Sequence, residues 1–180
     1  MRNLFALLVI IFFSNNVLVS QSCLPDGIMF YNQEMIDNFK ANYPGCTEIG
    51  GDVSIGNGYD TDITNVDSLD VLESIGGYLY FNRAQDLSSL SGLSALTSVG
   101  GFVQVEVCGS LSSLNGLESL ETIGGDLIFW ENQSLVNMSG LDALSTVGGK
   151  LEISYHYALT SLTGLESLDS TGGLNLDGLT

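Results

Sequence analysis

Apolar residues recur along most of this chain with a period of about 24 residues. Six blocks, each ending in two glycines, mark the period, with spacings of 26, 24, 24, 24 and 24; they begin at Ile49, Ile75, Val99, Ile123, Val147 and Thr171. Counted from the first residue of a block, apolar residues return at offsets 0, 4, 6, 12, 15, 18 and 21. Repeats of this length are typical of solenoids, in which each coil is stabilised by its neighbours.

Each unit divides into a strand part and a turn part. Offsets 4 and 6 alternate with polar or variable residues, which is the pattern of a strand with one buried face. From offset 12 to offset 21 the apolar residues are three residues apart. This spacing does not fit the two-residue alternation of a strand and favours short turns or 3₁₀ segments at the corners of a coil. The sequence therefore predicts a mainly β protein, a right-handed solenoid of stacked 24-residue coils with one large parallel sheet.

One position in each unit matches the ladder position of leucine-rich repeats. This is offset 9, which holds Gly58, Ala84, Cys108, Asn132 and His156. We expect its side chain to turn inward and to bond the backbone of the adjacent coil. Cys108 could instead be a reactive thiol, and His156 could be a general base or a metal ligand. We favour a buried ladder residue in both cases. Asn132 and Asn137 both begin glycosylation sequons, but a ladder Asn132 would be inaccessible.

Residues 23–48 form a different unit, which we interpret as an N-terminal cap. Met35, Ile36 and Phe39 fall at helical spacing, Asn32 suits the N-cap, and Tyr43-Pro44-Gly45 would end the helix. A solenoid needs such a lid because its first coil would otherwise expose apolar side chains. Cys23 and Cys46 flank the helix, and in an exported protein they are expected to form a disulfide, leaving Cys108 unpaired.

The first 22 residues have the pattern of a secretory signal peptide. An apolar run of ten, from Leu4 to Phe13, follows a short basic start, and Ser20 and Ser22 suit cleavage. A run of ten is too short to span a bilayer, which takes about 20 residues. We therefore expect a secreted or cell-surface protein with no transmembrane segment after the leader. Acylation of Cys23 is an alternative, although Ser20-Gln21-Ser22 matches a lipid-attachment motif poorly.

Charge and composition exclude several classes of function. The chain has 4 basic and 21 acidic residues, and its formal net charge is −17. Such a surface repels phosphate backbones, so we expect no nucleic-acid partner. With one histidine and three cysteines, a four-ligand zinc site of His and Cys is implausible, and we predict no metal and no cofactor.

The cap and the repeats together resemble a known family. The stretch from Cys23 through the helix to Tyr43-Pro44-Gly45-Cys46-Thr47-Glu48-Ile49-Gly50-Gly51, followed by repeated Leu-x-x-Leu-x-x-Ile-Gly-Gly-x-Leu-x-Ile, resembles the receptor L-domain. Exported bacterial surface proteins of this family look most similar. The resemblance covers residues 23 to about 175, and it implies a solenoid without catalytic machinery that binds ligands on a face of its sheet. The chain departs from the family pattern in two ways. It has no C-terminal cysteine pair, and its last unit loses one residue and stops at Thr180. We therefore expect residues 49–180 to be a truncated solenoid domain.

The outward strand positions, at offsets 3, 5 and 7, are the predicted binding surface. They include several aromatic or large apolar residues, namely Tyr78, Tyr80, Phe102, Ile128 and Trp130. Exposed patches of this kind mark interaction sites. We therefore expect a non-catalytic binding or adhesion module for a protein or glycan ligand. The alternatives are a structural spacer of the cell envelope, which should carry plain Ser and Thr on this face, and a glycan-cleaving β-helix enzyme with paired carboxylates.

Overall fold

The structure is a computed structural model that describes residues 22–59 and 61–178. Two runs of parallel strands stack along it. The first run contains β1 (Ile28–Phe30), β3 (Val53–Ile55), β5 (Leu79–Asn82), β7 (Val103–Glu106) and β9 (Leu127–Trp130), and the second contains β2 (Glu48–Ile49), β4 (Ser74–Ile75), β6 (Ser98–Val99) and β8 (Thr122–Ile123). Two longer strands, β10 (Thr146–Ser154) and β11 (Ser170–Asp177), complete the sheet, and β10 pairs with both β8 and β9. The mainly β solenoid expected from the sequence is confirmed.

The strand register follows the sequence period. Leu79 pairs with Val103 and Val103 with Leu127, each 24 residues apart, whereas Val53 pairs with Leu79 across the longer first unit. In the last pair of strands the register shifts: Val147 lies opposite Thr171, but Lys150 lies opposite Gly173. The residue missing from the last unit is therefore absorbed as an irregularity inside the strand pair.

The repeated apolar residues fill one continuous core. Those of the four units from Ile49 to Leu144 are almost completely buried, and Phe30, Phe81 and Phe129 are among the largest side chains enclosed. The three-residue spacing of the turn part corresponds to tight turns, which include 3₁₀ segments at Asp67–Leu69 and Ser91–Leu93. Each coil thus buries its apolar residues against the next coil, so stability depends on stacking.

The paired glycines form the corner between the two strand runs. At the first glycine of every pair from Gly76 to Gly172, the nearest atom to an added Cβ would be a backbone oxygen of the preceding coil. A Cβ on Gly100 would lie 2.3 Å from the oxygen of Gly76, and a Cβ on Gly124 would lie 2.2 Å from that of Gly100. Glycine recurs here because successive backbones approach too closely for any side chain.

The N-terminal cap contains a disulfide between Cys23 and Cys46, as expected. Its helical part is two short helices, α1 (Gln33–Asp37) and α2 (Phe39–Asn42), rather than one. Asn32 caps α1 by accepting a hydrogen bond from the Met35 amide, and Ile36 and Phe39 are buried. The break falls at Asn38, whose side-chain nitrogen donates to the Glu34 carbonyl and so competes with the regular helix bonds.

The cap also supplies a strand that the sequence pattern did not reveal. β1 pairs in parallel with β3, so that Ile28 lies opposite Val53 and Phe30 lies opposite Ile55. Cys23 forms an isolated bridge with Ile49. Residues 23–30 therefore pair with the first repeat as the start of a coil would, although they lack the glycine pair. The first strand run thus begins one strand before the repeats.

A residue in the left-handed conformation directly follows each of the strands β5, β7, β9 and β10. Arg83, Val107, Glu131 and Tyr155 have φ values of 55°, 54°, 55° and 62°. Non-glycine residues seldom adopt this conformation, and a β-branched residue such as Val107 does so least readily. This second corner, at the end of the strand, turns the next residue inward. The residues placed inward in this way are those of the ladder position, namely Ala84, Cys108, Asn132 and His156.

Candidate functional site

In the first strand run and in the second half of β10, every other side chain points away from the core. These side chains form the surface that we call the outer face. Strand pairing aligns them in rows across the sheet. One row contains Asp52, Tyr78, Phe102, Asp126 and Lys150, the next contains Met29, Ser54, Tyr80, Gln104, Ile128 and Glu152, and the third contains Asn82, Glu106, Trp130 and Ser154. All five predicted ligand-binding residues belong to these rows and are half-buried.

Three of the predicted residues form an aromatic cluster, comprising Tyr78, Tyr80 and Phe102. The rings of Tyr78 and Phe102 stack, with centroids 4.6 Å apart and planes inclined by 13°. The ring of Tyr80 meets that of Phe102 edge-on at 6.5 Å. Stacked and edge-on pairs of this kind stabilise one another beyond the area they bury. The cluster is therefore a fixed apolar platform on the outer face.

The other two predicted residues lie one strand further along. Ile128 and Trp130 are on β9, and the register places Gln104 between Tyr80 and Ile128, and Glu106 between Asn82 and Trp130. The five residues thus share one face, but they are two groups separated by polar side chains. The sequence pattern identified the face and did not reveal this division.

Glu106 is the polar centre of the outer face. Only 8% of it is exposed, although its strand position points away from the core. Its Oε2 atom accepts hydrogen bonds from the Tyr80 hydroxyl at 2.5 Å and from Gln104 Nε2 at 3.0 Å, and Arg83 lies 3.7 Å from Oε1. Burial and the hydrogen bond to this carboxylate raise the pKa of Tyr80 above its ordinary value. Glu106 therefore orients the Tyr80 ring within the aromatic cluster.

The ladder residues lie inside the solenoid, as the repeat predicted. Asn132 is fully buried; its Oδ1 atom accepts from the Cys108 amide at 2.9 Å and its Nδ2 atom donates to the Val105 carbonyl at 2.8 Å. The sequon at Asn132 is therefore enclosed, whereas Asn137 is partly exposed. Burial raises the pKa of the Cys108 thiol to about 12. A thiol in this state is a poor nucleophile.

We expect thiol titration to find no reactive cysteine in the folded protein and one after unfolding. Cys23 and Cys46 are joined, and Cys108 is both buried and protonated at neutral pH. The measurement is absorbance with a chromogenic thiol reagent at pH 8, with and without denaturant. One fast-reacting thiol in the absence of denaturant would contradict the burial of Cys108.

His156 is likewise an interior residue. Its Nδ1 atom lies 3.0 Å from the Asn132 carbonyl oxygen, so it donates that bond, while its buried Nε2 atom has no hydrogen-bond partner among the described residues. Burial lowers the pKa of His156 below its ordinary value, and hydrogen bonding to the backbone opposes this effect to a smaller extent. This environment favours a neutral structural histidine.

His156 should make the protein less stable at mildly acidic pH. The folded state keeps it neutral below the ordinary pKa of about 6.5, so the unfolded state binds more protons there and stability falls as pH drops through that value. The His156→Asn variant, with the residue that Asn132 provides one coil earlier, should lose this component. Urea unfolding at pH 7.5 and pH 5.0 measures both proteins. An equal decrease in the two would show that His156 is not responsible.

The repeated acids of the turn region have local structural partners. Glu118, Asp142 and Glu166 each accept a hydrogen bond from the glycine amide two residues earlier, at 2.7 to 2.9 Å. Asp70, at the corresponding place in an earlier coil, pairs with Lys40 of the cap. In the part of the chain that the structure describes, His, Cys, Asp and Glu do not gather in any group of three suited to a metal ion. Within the same residues, no helix is both long and apolar enough to cross a membrane.

Protein-family models, curated proteins and solved structures each gave no match to the chain.

Proposed function

We propose that this protein is a non-catalytic binding or adhesion module whose ligand, a protein or a glycan, docks on the outer face. The observation that carries the proposal is the aromatic cluster of Tyr78, Tyr80 and Phe102 on an open sheet surface. Aromatic side chains provide much of the energy of many interfaces because they bury large areas at a low cost in conformational entropy. Ile128 and Trp130 extend the surface.

The composition of the outer face favours binding over a purely structural spacer. A spacer needs only small polar residues there, as at Ser54 and Ser154. The central strands instead carry aromatic rings, and the Tyr80 ring is held in place by Glu106, which also accepts a hydrogen bond from Gln104. Pre-organised side chains lose less entropy when a ligand binds. Glu106 has structural partners at both carboxylate oxygens, which supports a positioning role and not a role in glycan cleavage.

The proposed location is outside the cell, either secreted or on the cell surface. The Cys23–Cys46 disulfide is compatible with an oxidising compartment. The signal peptide that the sequence predicts at residues 1–22 lies, except for Ser22, outside the described residues. Membership of the receptor L-domain family is part of the same proposal, supported by the cysteine-bracketed cap and the repeat. No cofactor, metal or nucleic acid has a place in this function.

Replacing the aromatic side chains should abolish adhesion without unfolding the protein. In the triple variant Tyr80→Ser, Phe102→Ser, Trp130→Ser, three half-buried outer residues are shortened while the core is unchanged. We expect beads coated with the variant to be retained at least tenfold less than parent beads on a panel of immobilised glycans, extracellular proteins and cells. Circular dichroism and thermal melting establish that the variant is folded.

A matched control removes three other apolar side chains that are more exposed. Tyr59, Val136 and Tyr157 are 81%, 44% and 64% exposed and lie outside the outer face. Their simultaneous replacement by serine should leave bead retention within twofold of the parent. If the outer-face variant is folded and adheres as well as the parent, the proposed function is wrong.

A further inference from the structure

A depression on the outer face lies beside the aromatic cluster, and its lining is both acidic and aromatic. It has a volume of about 200 Å³. Ser54 forms its floor, between Met29 on β1 and Tyr80 on β5, and the shortness of that serine explains why the surface is hollow there. The walls are Met29, Tyr78 and the two carboxylate residues Asp26 and Asp52. We call this depression the acidic pocket.

The ring of Tyr78 has one face available to the acidic pocket. Its other face stacks on Phe102, which directly precedes β7, whereas the pocket lies on the opposite side of β5, towards β3 and β1. A cation over the face of a tyrosine ring is attracted by the ring quadrupole. A methionine side chain opposite the ring supplies an adaptable apolar wall for the stem of a long side chain.

The two carboxylates of the acidic pocket are not neutralised by basic residues of the described chain. Lys40, Arg83 and Lys150 pair with Asp70, Glu106 and Glu152, so each of these cations is already engaged elsewhere. Asp52 is held in place because its Oδ1 atom accepts a hydrogen bond from the Tyr78 amide at 3.1 Å. A negative site, with Asp52 held in position, therefore remains open next to an aromatic ring.

We propose that the acidic pocket receives a lysine or arginine side chain of a basic protein partner. This inference rests on the proposed function and narrows its ligand from a protein or glycan to a polypeptide with positive charge. Charge complementarity carries it: the partner's cation would contact Asp26 and Asp52 and the free face of Tyr78, while apolar residues of the partner would cover Phe102 and Tyr80. The formal net charge of −17 would also accelerate the approach of such a partner.

The experiment uses labelled peptides as probes. Fluorescence anisotropy measures binding of the full chain to three 12-residue peptides that alternate serine with lysine, with glutamate or with glycine. We expect the lysine peptide alone to bind, with an affinity that falls as NaCl rises from 20 to 500 mM. The double variant Asp26→Asn, Asp52→Asn should bind it about tenfold more weakly, and Tyr78→Leu about threefold more weakly.

A charge-matched control separates the acidic pocket from general acidity. The variant Glu73→Gln, Glu121→Gln removes two exposed carboxylates next to the second strand run and should change the affinity less than twofold. Equal losses in the two double variants would overturn the proposal, as would equal binding of the lysine and glycine peptides. Asp52→Asn keeps the oxygen that accepts from Tyr78, and thermal melting verifies that each variant is folded.

Bead adhesion distinguishes failure of this inference from failure of the proposed function. If the lysine peptide inhibits adhesion, and adhesion requires Tyr80, Phe102 and Trp130, the proposed function and the basic-partner inference are both supported. If adhesion requires those residues but is inhibited by soluble oligosaccharides and not by the peptide, the outer face binds glycans and the basic-partner inference is wrong. If adhesion does not require those residues, the proposed function falls, and the inference falls with it.

Discussion

Replacing Gly124 by alanine should destabilise the solenoid by about 3 kcal/mol, which is a decrease in melting temperature of about 10 °C for a domain of this size. The new Cβ atom would lie 2.2 Å from the Gly100 oxygen of the preceding coil. Neither atom can move freely, because both belong to backbones whose separation is set by the strand pairing of Val99 with Ile123. Urea unfolding of parent and variant measures the difference.

Gly173→Ala is the matched control for this change. A Cβ atom there would have only the Lys150 Cβ atom within reach, at 3.9 Å, which is an ordinary contact. We expect its effect on stability to stay within about 0.5 kcal/mol. Neither Gly124 nor Gly173 has a positive φ, so the comparison isolates the close approach of the coils from backbone strain. If the Gly124 and Gly173 variants are equally stable, the corner does not exclude side chains.

The glycine corner illustrates what could be predicted from the sequence. A period of 24 residues sets the register, and once the register is known the stacking of Tyr78 on Phe102 follows, because both residues have the same offset in neighbouring units. The inward position of Cys108 and Asn132 follows in the same way. Periodic features were predictable because each unit repeats the same physical constraint.

Features that occur once were not predictable. The strand β1 lacks the glycine pair, and Ile28, Met29 and Phe30 are a continuous apolar run without the two-residue alternation that indicates a strand with one buried face. The burial of Glu106 depends on the side-chain conformations of Tyr80 and Gln104, which no spacing specifies. The acidic pocket likewise required Asp26 of the cap to meet Asp52 of the first repeat, and these belong to different sequence patterns.

The left-handed corner was missed for another reason. Arg83, Val107, Glu131 and Tyr155 share a backbone conformation but no side-chain property, so the sequence provides no common signal. The conformation costs energy at each of these residues. It persists because the bend allows the following residue to reach the adjacent coil. Burial of the ladder residue against the adjacent coil offsets this cost, and at Asn132 two side-chain hydrogen bonds add to it.

Removal of the Asn132 side chain is thus the second change for which we expect a large effect. Asn132→Ala leaves the Cys108 amide and the Val105 carbonyl buried without these partners and opens a small cavity, which should cost about 3 kcal/mol. Alanine is sterically acceptable at this position, since Ala84 occupies it two coils earlier. Asn115→Ala, at an exposed turn residue, should cost less than about 0.5 kcal/mol. Equal unfolding midpoints in urea for these two variants would show that the ladder hydrogen bonds do not hold adjacent coils together.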